Sequence, residues 1–401
     1  MNSWGKWLRA ASLAACLWLA IPVRAAGEMN DARGGRMTEE TALPAGQETD
    51  SQQETEEEIL GDLNLDEVQK TVDELLEEEI SLTEMIGKLM EGELPLTWET
   101  LSAILEKILW DAAGLQKSTC AHILLLVILS SVLANLSRVF GDQQIGEIAF
   151  YMVYLLLFVI LLKTFGSFAE EIRTSLTGIV EFMRGLLPAY YLAVTAATGI
   201  STATVFYHMI IFIIFLAESM ILSALLPAVY IYLLMELVNH LTREEFLSRM
   251  AELLKNIIAW SLKTIVGALV GLQMIQRLIS PALDALKRTA VGRTAGAIPG
   301  IGNVINGVTE MVLGSAVLVK NSLGAAAAVI LLLLGLSPVI RLGISTVFYQ
   351  FLAALVQPVA DRRMVGCLHT MGESIGMLLK LLLTVEVLFL LTIAILAGSL
   401  E

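Results

Sequence analysis

The sequence predicts an all-α protein: a polytopic helical membrane protein preceded by a cleaved signal peptide and an acidic extracytoplasmic segment. Of the 401 residues, 56% are hydrophobic and only 16% are charged. The mean hydropathy of +0.72 is far above that of a soluble domain of this size. The net charge of -14 is uneven, because residues 27–111 contain 24 acidic and 5 basic residues while the rest of the chain is nearly neutral. Two regions with different surroundings therefore share one chain.

Residues 1–25 have the parts of a secretory signal peptide. Lys6 and Arg9 precede an apolar run over 10–21, and a small-x-small cleavage signature, VRA, ends at residue 25. Cleavage there would leave the mature N-terminus outside the cytoplasm.

Residues 26–58 are polar, acidic and nearly free of large apolar side chains, which predicts a disordered linker. Residues 59–117 differ, because apolar residues from Leu65 to Leu89 recur at spacings of three and four. This spacing predicts extracytoplasmic amphipathic helices with an acidic outer face. Such a helix either packs on its own membrane domain, the favoured interpretation, or docks a partner in the outer compartment.

Residues 118–401 form the predicted polytopic membrane domain, in which apolar runs reach the roughly 20 residues that cross a bilayer as a helix. Six clear spans are predicted at 119–137, 147–165, 256–279, 311–336, 339–356 and 376–397, and the apolar region 186–240 holds two or three more. Basic residues at 243–255 are separated from those at 287–293 by one clear span, 256–279, so either this segment is not a simple crossing or its loop departs from the rule that basic loops face the cytoplasm. We therefore expect about seven spans, with six to nine allowed. Basic residues at 287–293 and 362–363 flank the paired spans 311–336 and 339–356, so both clusters should lie on one face of the membrane.

The metalloprotease motif H-E-x-x-H does not occur in the sequence, the four histidines are far apart, and the three cysteines form no C-x-x-C pair. The pattern G-x-S-x-G occurs once, as GESIG at 372–376, but no strand is predicted before it, so the match does not indicate a hydrolase. We therefore predict a non-enzymatic protein without catalytic residues, a bound cofactor or a metal site.

The string GAIPGIGNVINGVTEMVLGS at 296–315 resembles a phosphate-binding loop, but Val308 stands where that loop has its lysine. Nucleotide binding is therefore not expected. Gly300, Gly307 and Gly314 recur every seven residues, which favours close helix packing within the chain, a contact between subunits or a hinge. Pro299 predicts a helix break near 298–302 with a helix resuming after it.

Ionisable residues inside apolar runs are costly and point to a buried pair or a polar conduit. The candidate conduit or buried-charge residues are Glu218, Glu386, Glu236 and Lys320. Arg341 and Lys380 lie close enough to predicted span ends to extend their charged groups to the membrane surface.

Three longer strings carry a resemblance to a known family. They are LPAYYLAVTAATG at 187–199, PALDALKRTAVGRTAGAIPG at 281–300 and GSAVLVKNSLG at 314–324. With them, residues 92–401 resemble the stage III sporulation protein AE family of endospore-forming bacteria.

The resemblance implies a non-enzymatic membrane subunit of the mother cell-to-forespore channel, or feeding tube, which late endospore development requires. Its implied location is the mother-cell membrane around the forespore. Its implied partners are other mother-cell channel proteins, including a secretion-type ATPase and ring-forming subunits, a forespore membrane partner and the lipid bilayer, with no nucleic acid. The family supplies no catalytic residues.

Two alternatives remain open at this point. One is an autonomous secondary transporter, a class that usually shows internal repeats with paired broken helices; no convincing repeat relates the two halves. The other is a membrane scaffold without a conduit.

Overall fold

The computed structural model describes residues 61, 63, 65–76, 81–93, 98–140, 143–198, 200–241, 247–295 and 302–397. The predicted signal peptide and acidic linker lie outside these ranges. Every regular element within them is a helix, which confirms the all-α fold class.

The helices follow one another with short connections. In chain order they are α1 (Asp66–Leu75), α2 (Leu82–Met90), α3 (Trp98–Phe140), α4 (Gln143–Thr198), α5 (Ile200–Leu216), a π-helix (Ala217–Leu225), α6 (Leu226–Leu241), α7 (Ser248–Ala295), α8 (Gly302–Val356) and α9 (Arg362–Ala397).

The amphipathic helices α1 and α2 pack on the membrane domain. Val72 of α1 is fully buried, and Leu75 contacts the backbone of α4 at Gly178. Helix α2 buries Leu82 and Ile86 and packs on α8. These contacts confirm the favoured interpretation that the amphipathic segment packs on its own chain.

Local hydrogen bonds fix the start of α2 and its contact with α1. The Ser81 side chain accepts a hydrogen bond from the backbone N–H of Glu84 at 3.3 Å, which caps the helix. The backbone N–H of Leu82 donates to the Gln69 side chain of α1 at 2.6 Å. The two short helices therefore dock as a connected unit.

Within the described residues, five helical stretches are long and apolar enough to cross a membrane. They are Phe150–Thr198, Ala203–Leu241, Ser248–Leu272, Val312–Val356 and Arg362–Ala394, and a shorter apolar stretch lies at Thr119–Val132. The polytopic character is confirmed. The expected count of about seven is higher than the five stretches that the structure shows.

One part of the difference arises at 119–137, where the apolar stretch is short, and another at Pro338. The predicted spans 311–336 and 339–356 are one continuous helix, α8, with Pro338 inside it. The basic clusters at 287–293 and 362–363 therefore lie beyond opposite ends of α8. The expectation that they share one face of the membrane is wrong, because it counted two crossings where there is one helix.

The predicted break near Pro299 falls largely on residues 296–301, which lie outside the described residues, so it stays a prediction. Helix α7 ends at Ala295 and α8 begins at Gly302. The string that resembled a phosphate-binding loop continues into the first turns of α8, so its residues from Gly302 onward are helical.

Side-chain contacts set the register of the long helices. Helix α8 runs antiparallel to α4, because Arg341 meets Glu171 while the earlier Gly324 meets the later Tyr190. Helix α9 also runs antiparallel to α8. Gly372 lies at Thr346, Glu386 at Gly335, and Ala397 at Lys320.

The segment from α5 through the π-helix to α6 runs back along α4. Its contacts, from one end to the other, join Tyr207 to Tyr191, Glu218 to Arg184, Tyr230 to Phe165 and Leu237 to Tyr154. Consecutive long helices therefore alternate in direction, and residues far apart in sequence reach the same level.

The long helices exceed the thickness of one bilayer. Helix α8 has 55 residues, which at 1.5 Å per residue is about 82 Å, against a hydrocarbon core of about 30 Å. Along α4, all Asp, Glu, Lys and Arg side chains between 150 and 198 fall within 163–184, between two apolar arms. We call this level the polar layer. It comprises the charged residues of α4 at 163–184 and the charged residues of neighbouring helices that lie at the same height.

Candidate functional site

The carboxylate of Glu373 is the most connected ionisable group of the polar layer. Lys255 Nζ donates to its two oxygens at 3.0 and 2.9 Å, and the Tyr232 hydroxyl donates to Oε2 at 3.1 Å. His369 Nε2 lies 4.0 Å from Oε1. Side chains from α6, α7 and α9 therefore converge on one carboxylate, which links these three helices at a single level.

The sequence analysis missed Glu373, because the residue precedes the apolar run that begins near 376. A signal was present in the spacing. His369, Glu373 and Lys380 stand four and seven residues apart, which places them on one face of a helix. Recognising this face requires knowing that α9 starts at Arg362, fourteen residues before the predicted span.

A second ion pair joins α4 to α8. Arg341 donates from Nη1 to Glu171 Oε1 at 3.1 Å, and about a third of each side chain is exposed. Arg341 was expected to extend to a membrane surface from the end of a span. The continuous α8 instead places it in mid-helix, where it pairs within the chain.

Glu218 pairs with Arg184 of α4 at 2.7 Å, with 43% and 56% of the two side chains exposed. Glu218 lies in the first turn of the π-helix, and the Ser223 hydroxyl donates to its backbone carbonyl at 3.0 Å, five residues back. Single π-helical turns inside α-helices occur frequently at functional sites. The pair lies on the outer surface of this chain.

Glu386 is buried, with 6% of the residue exposed, and its carboxyl group packs against the backbone of Gly335. Among the described residues, no hydrogen bond or ion pair is formed by this carboxyl group. Burial of a carboxyl group in apolar surroundings without a partner is costly, which makes Glu386 a candidate functional position.

Lys320 and Glu236 occupy other positions. Lys320 is fully buried near the end of the α8 and α9 pair, where its Nζ donates to the carbonyl of Ala397 at 3.5 Å. Glu236 lies partly buried on α6, one turn beyond Tyr232 and close enough to act on it electrostatically.

The four predicted charges therefore do not form one site. Glu386 and Ala397, the contact of Lys320, are eleven residues apart on α9, about 16 Å along the helix. Glu218 lies on the outer surface, and Glu236 lies near the Glu373 cluster. Their role in a conduit stays a prediction.

Of the three candidate packing glycines, only Gly314 has surroundings that the structure describes. It is exposed, and a Cβ added there would meet nothing within 4 Å in the described part of the chain. Gly300 lies outside the described residues, as do the surroundings of Gly307. Helix packing at these positions stays a prediction.

In the part of the chain that the structure describes, no group of three or more His, Cys, Asp or Glu side chains is placed to bind a metal ion. Both described cysteines are free thiols. Cys367 Sγ lies 2.8 Å from the Tyr154 hydroxyl, which also donates to the carbonyl of Leu237 at 2.6 Å. This contact links α4, α6 and α9 near the start of α9, whereas Lys320 lies near the other end of that helix.

Comparison with known proteins gives one family. The family model described as stage III sporulation protein AE matches residues 80–399. Stage III sporulation protein AE of Bacillus subtilis (strain 168) is 25% identical over 282 residues, which cover 69% of this chain and 70% of the relative. No solved structure matches the chain. Because the family model spans most of the sequence, including every long helix from α3 to α9, the chain belongs to the stage III sporulation protein AE family.

Proposed function

We propose that the protein is a non-enzymatic membrane subunit of the mother cell-to-forespore channel complex that late endospore development requires. Membership of the family supports a role in sporulation. The five long apolar helices support a multi-pass membrane protein. The proposal further assigns the protein to the mother-cell membrane around the forespore, with the mature N-terminus outside the cytoplasm.

The polar layer is the observation that carries the proposal beyond a general role in sporulation. Ionisable groups within apolar helices are costly and mark functional positions by default. Here they include the paired Glu373 and Lys255, the pair of Glu171 and Arg341, and the buried Glu386. A subunit that only anchored other proteins would have little need for them.

The proposed partners follow from the same assignment. They are the other mother-cell channel proteins, including a secretion-type ATPase and ring-forming subunits, and a forespore membrane partner. The surface pair of Arg184 and Glu218 is suited to contact one of them, because charged side chains exposed on a membrane protein gain from a polar neighbour.

Deletion of the gene in a spore former tests the assignment. We expect engulfment to finish and later forespore development to stall, with full recovery when the wild-type gene is supplied in the mother cell. Normal sporulation of the deletion strain would refute the proposal. Recovery from forespore expression alone would contradict the mother-cell location.

Neutralising substitutions separate a conduit from a scaffold. Glu218→Gln and Glu386→Gln are introduced separately, and membrane insertion and co-purification of the complex are checked for each. Loss of forespore development with an intact complex would support a conduit, whereas normal sporulation in both variants would favour a scaffold. Arg249→Gln serves as the control, because its side chain is 93% exposed.

Reconstitution of the purified protein alone distinguishes a channel subunit from an autonomous transporter. In liposomes with an imposed solute gradient, we expect no coupled uptake in the absence of partners. Robust uptake by the protein alone would favour the transporter.

A further inference from the structure

A cavity opens between α3, α4 and α8, beside the pair of Arg341 and Glu171. Its volume is about 590 Å³, within the range of pockets that hold small molecules. Four hydroxyl side chains line it, among them Thr119 and Ser167. Thr164 and Ser167 donate their hydroxyl hydrogens to backbone carbonyls of α4, so the charged side chains of the lining decide which occupant is favoured.

The charges of the lining favour an anion. Lys163 and Arg341 are cations at neutral pH, and Glu171 is the one carboxylate of the lining. His122 also lies at the wall. Within the described lining, positive charge therefore exceeds negative charge even with a neutral histidine.

Arg341 has donor capacity beyond its ion pair. Its Nη1 is directed to Glu171, whereas its Nε–H is buried and has no hydrogen-bond partner among the described residues. A guanidinium group presents its donors as a planar fork that matches the oxygens of a phosphate group. The ammonium group of Lys163, which lines the same cavity, supplies further donors to the remaining oxygens.

From this arrangement we propose that the cavity binds a phosphate group, with Arg341 and Lys163 as its charged ligands. The group belongs either to inorganic phosphate or to the headgroup of an anionic phospholipid, because basic pockets between membrane helices accommodate such headgroups. Glu171 then competes with the phosphate group for Arg341. Removing the charge of Glu171 should strengthen binding rather than weaken it.

The test uses the full-length protein in phosphatidylcholine nanodiscs. Binding of radiolabelled inorganic phosphate is measured by equilibrium dialysis, and retention of added phosphatidylglycerol by native mass spectrometry. Binding of phosphatidylglycerol alone identifies a lipid headgroup, and binding of inorganic phosphate alone identifies free phosphate. Either result supports the proposal, and binding of neither would overturn it.

Four variants connect binding to the cavity. Arg341→Gln should weaken binding by about tenfold or more, as expected for loss of a charge-assisted contact, and Lys163→Gln should weaken it less. Glu171→Gln should strengthen binding severalfold. Arg173→Gln is the matched control, since Arg173 lies on the same helix in an exposed pair with Glu170 and should have no effect.

The gain expected for Glu171→Gln keeps the test decisive if Arg341→Gln fails to fold. Unchanged or weaker binding by a folded Glu171→Gln protein would overturn the proposal. All readouts come from purified protein, so they do not depend on the proposed sporulation function.

Discussion

The carboxyl group of Glu386 packs against the backbone of Gly335, in the space that a side chain at position 335 would occupy. A Cβ built at Gly335 would lie 2.6 Å from Oε2 of Glu386. The absence of a side chain on α8 is therefore what allows α9 to carry a buried carboxyl group at this level. Neither residue could be replaced without consequence for the other.

Replacing Gly335 by alanine should separate α8 from α9 locally. We expect a loss of about 1–3 kcal/mol in stability, typical of overpacking a close contact. The free energy of unfolding is measured in detergent, with circular dichroism as the signal. Gly343→Ala on the same helix is the control, because a Cβ there meets nothing within 4 Å. An equal effect of both substitutions would contradict the relationship, as would an undiminished effect of Gly335→Ala in a Glu386→Ala background.

Glu373→Gln should destabilise the protein by about 1–3 kcal/mol, because it weakens two charge-assisted hydrogen bonds from Lys255 and leaves that ammonium group without its counter-charge. The comparison is Glu252→Gln, whose exposed pair with Arg249 should contribute almost nothing. The exchanged pair Lys255→Glu with Glu373→Lys should recover part of the lost stability. If Glu373→Gln is as mild as Glu252→Gln, the cluster does not hold α6, α7 and α9 together.

Glu218→Gln should change stability by less than about 1 kcal/mol, as for other exposed ion pairs. Helix α1, which carries exposed acidic residues, packs on α4 at Gly178 and Gly185, beside Arg184, so we place this surface in a polar environment. The free energy of unfolding of the variant measures that environment. A loss well above 2 kcal/mol would instead indicate that the pair faces lipid, where an unpaired arginine is costly.

A disulfide should form between cysteines placed at Thr71 and Gly185. A Cβ built at Gly185 would lie 3.7 Å from Oγ1 of Thr71, the atom that the sulfur of a cysteine at position 71 would replace, so a small shift of the two helices brings the sulfurs into bonding distance. The experiment uses a chain with Cys120 and Cys367 changed to alanine, mild oxidant, and intact mass after thiol alkylation. Cysteine at the exposed Asp73, paired with the same Gly185→Cys, is the control that should not cross-link. Equal cross-linking in both pairs would mean that α1 is not docked as described.

Several features of the fold follow directly from local sequence. Spacings of three and four between Leu65 and Leu89 are a property of the helix itself, so they identified α1 and α2 as amphipathic. Apolar runs long enough to cross a membrane are likewise visible in local sequence, so the apolar segments of α4, α7, α8 and α9 were predictable.

Other features depend on contacts that no local pattern contains. Pro338 resembles a boundary in sequence, yet α8 continues through it, since packing against α4 and α9 on both sides outweighs one lost hydrogen bond. The pairing of Glu171 with Arg341 joins residues 170 positions apart. Such pairs appear only once the antiparallel register of the long helices is known.

The two helix-internal prolines stand in matching strings. Gly-Leu-Leu-Pro ends at Pro188 in α4, and Gly-Leu-Ser-Pro ends at Pro338 in α8, the helix that runs antiparallel to it. The match is too short to establish a repeat of the kind found in transporters. It does show that both long helices carry a glycine three residues before a missing backbone N–H.

At Pro338 that missing N–H leaves the carbonyl of Leu334 without its helical partner. Leu334 directly precedes Gly335, the residue that Glu386 covers. Reduced backbone bonding, the absence of a side chain and a buried carboxyl group thus occur within one turn of α8. Bending stiffness should be lowest there, so a change in the charge of Glu386 would act on α8 where the helix yields most easily.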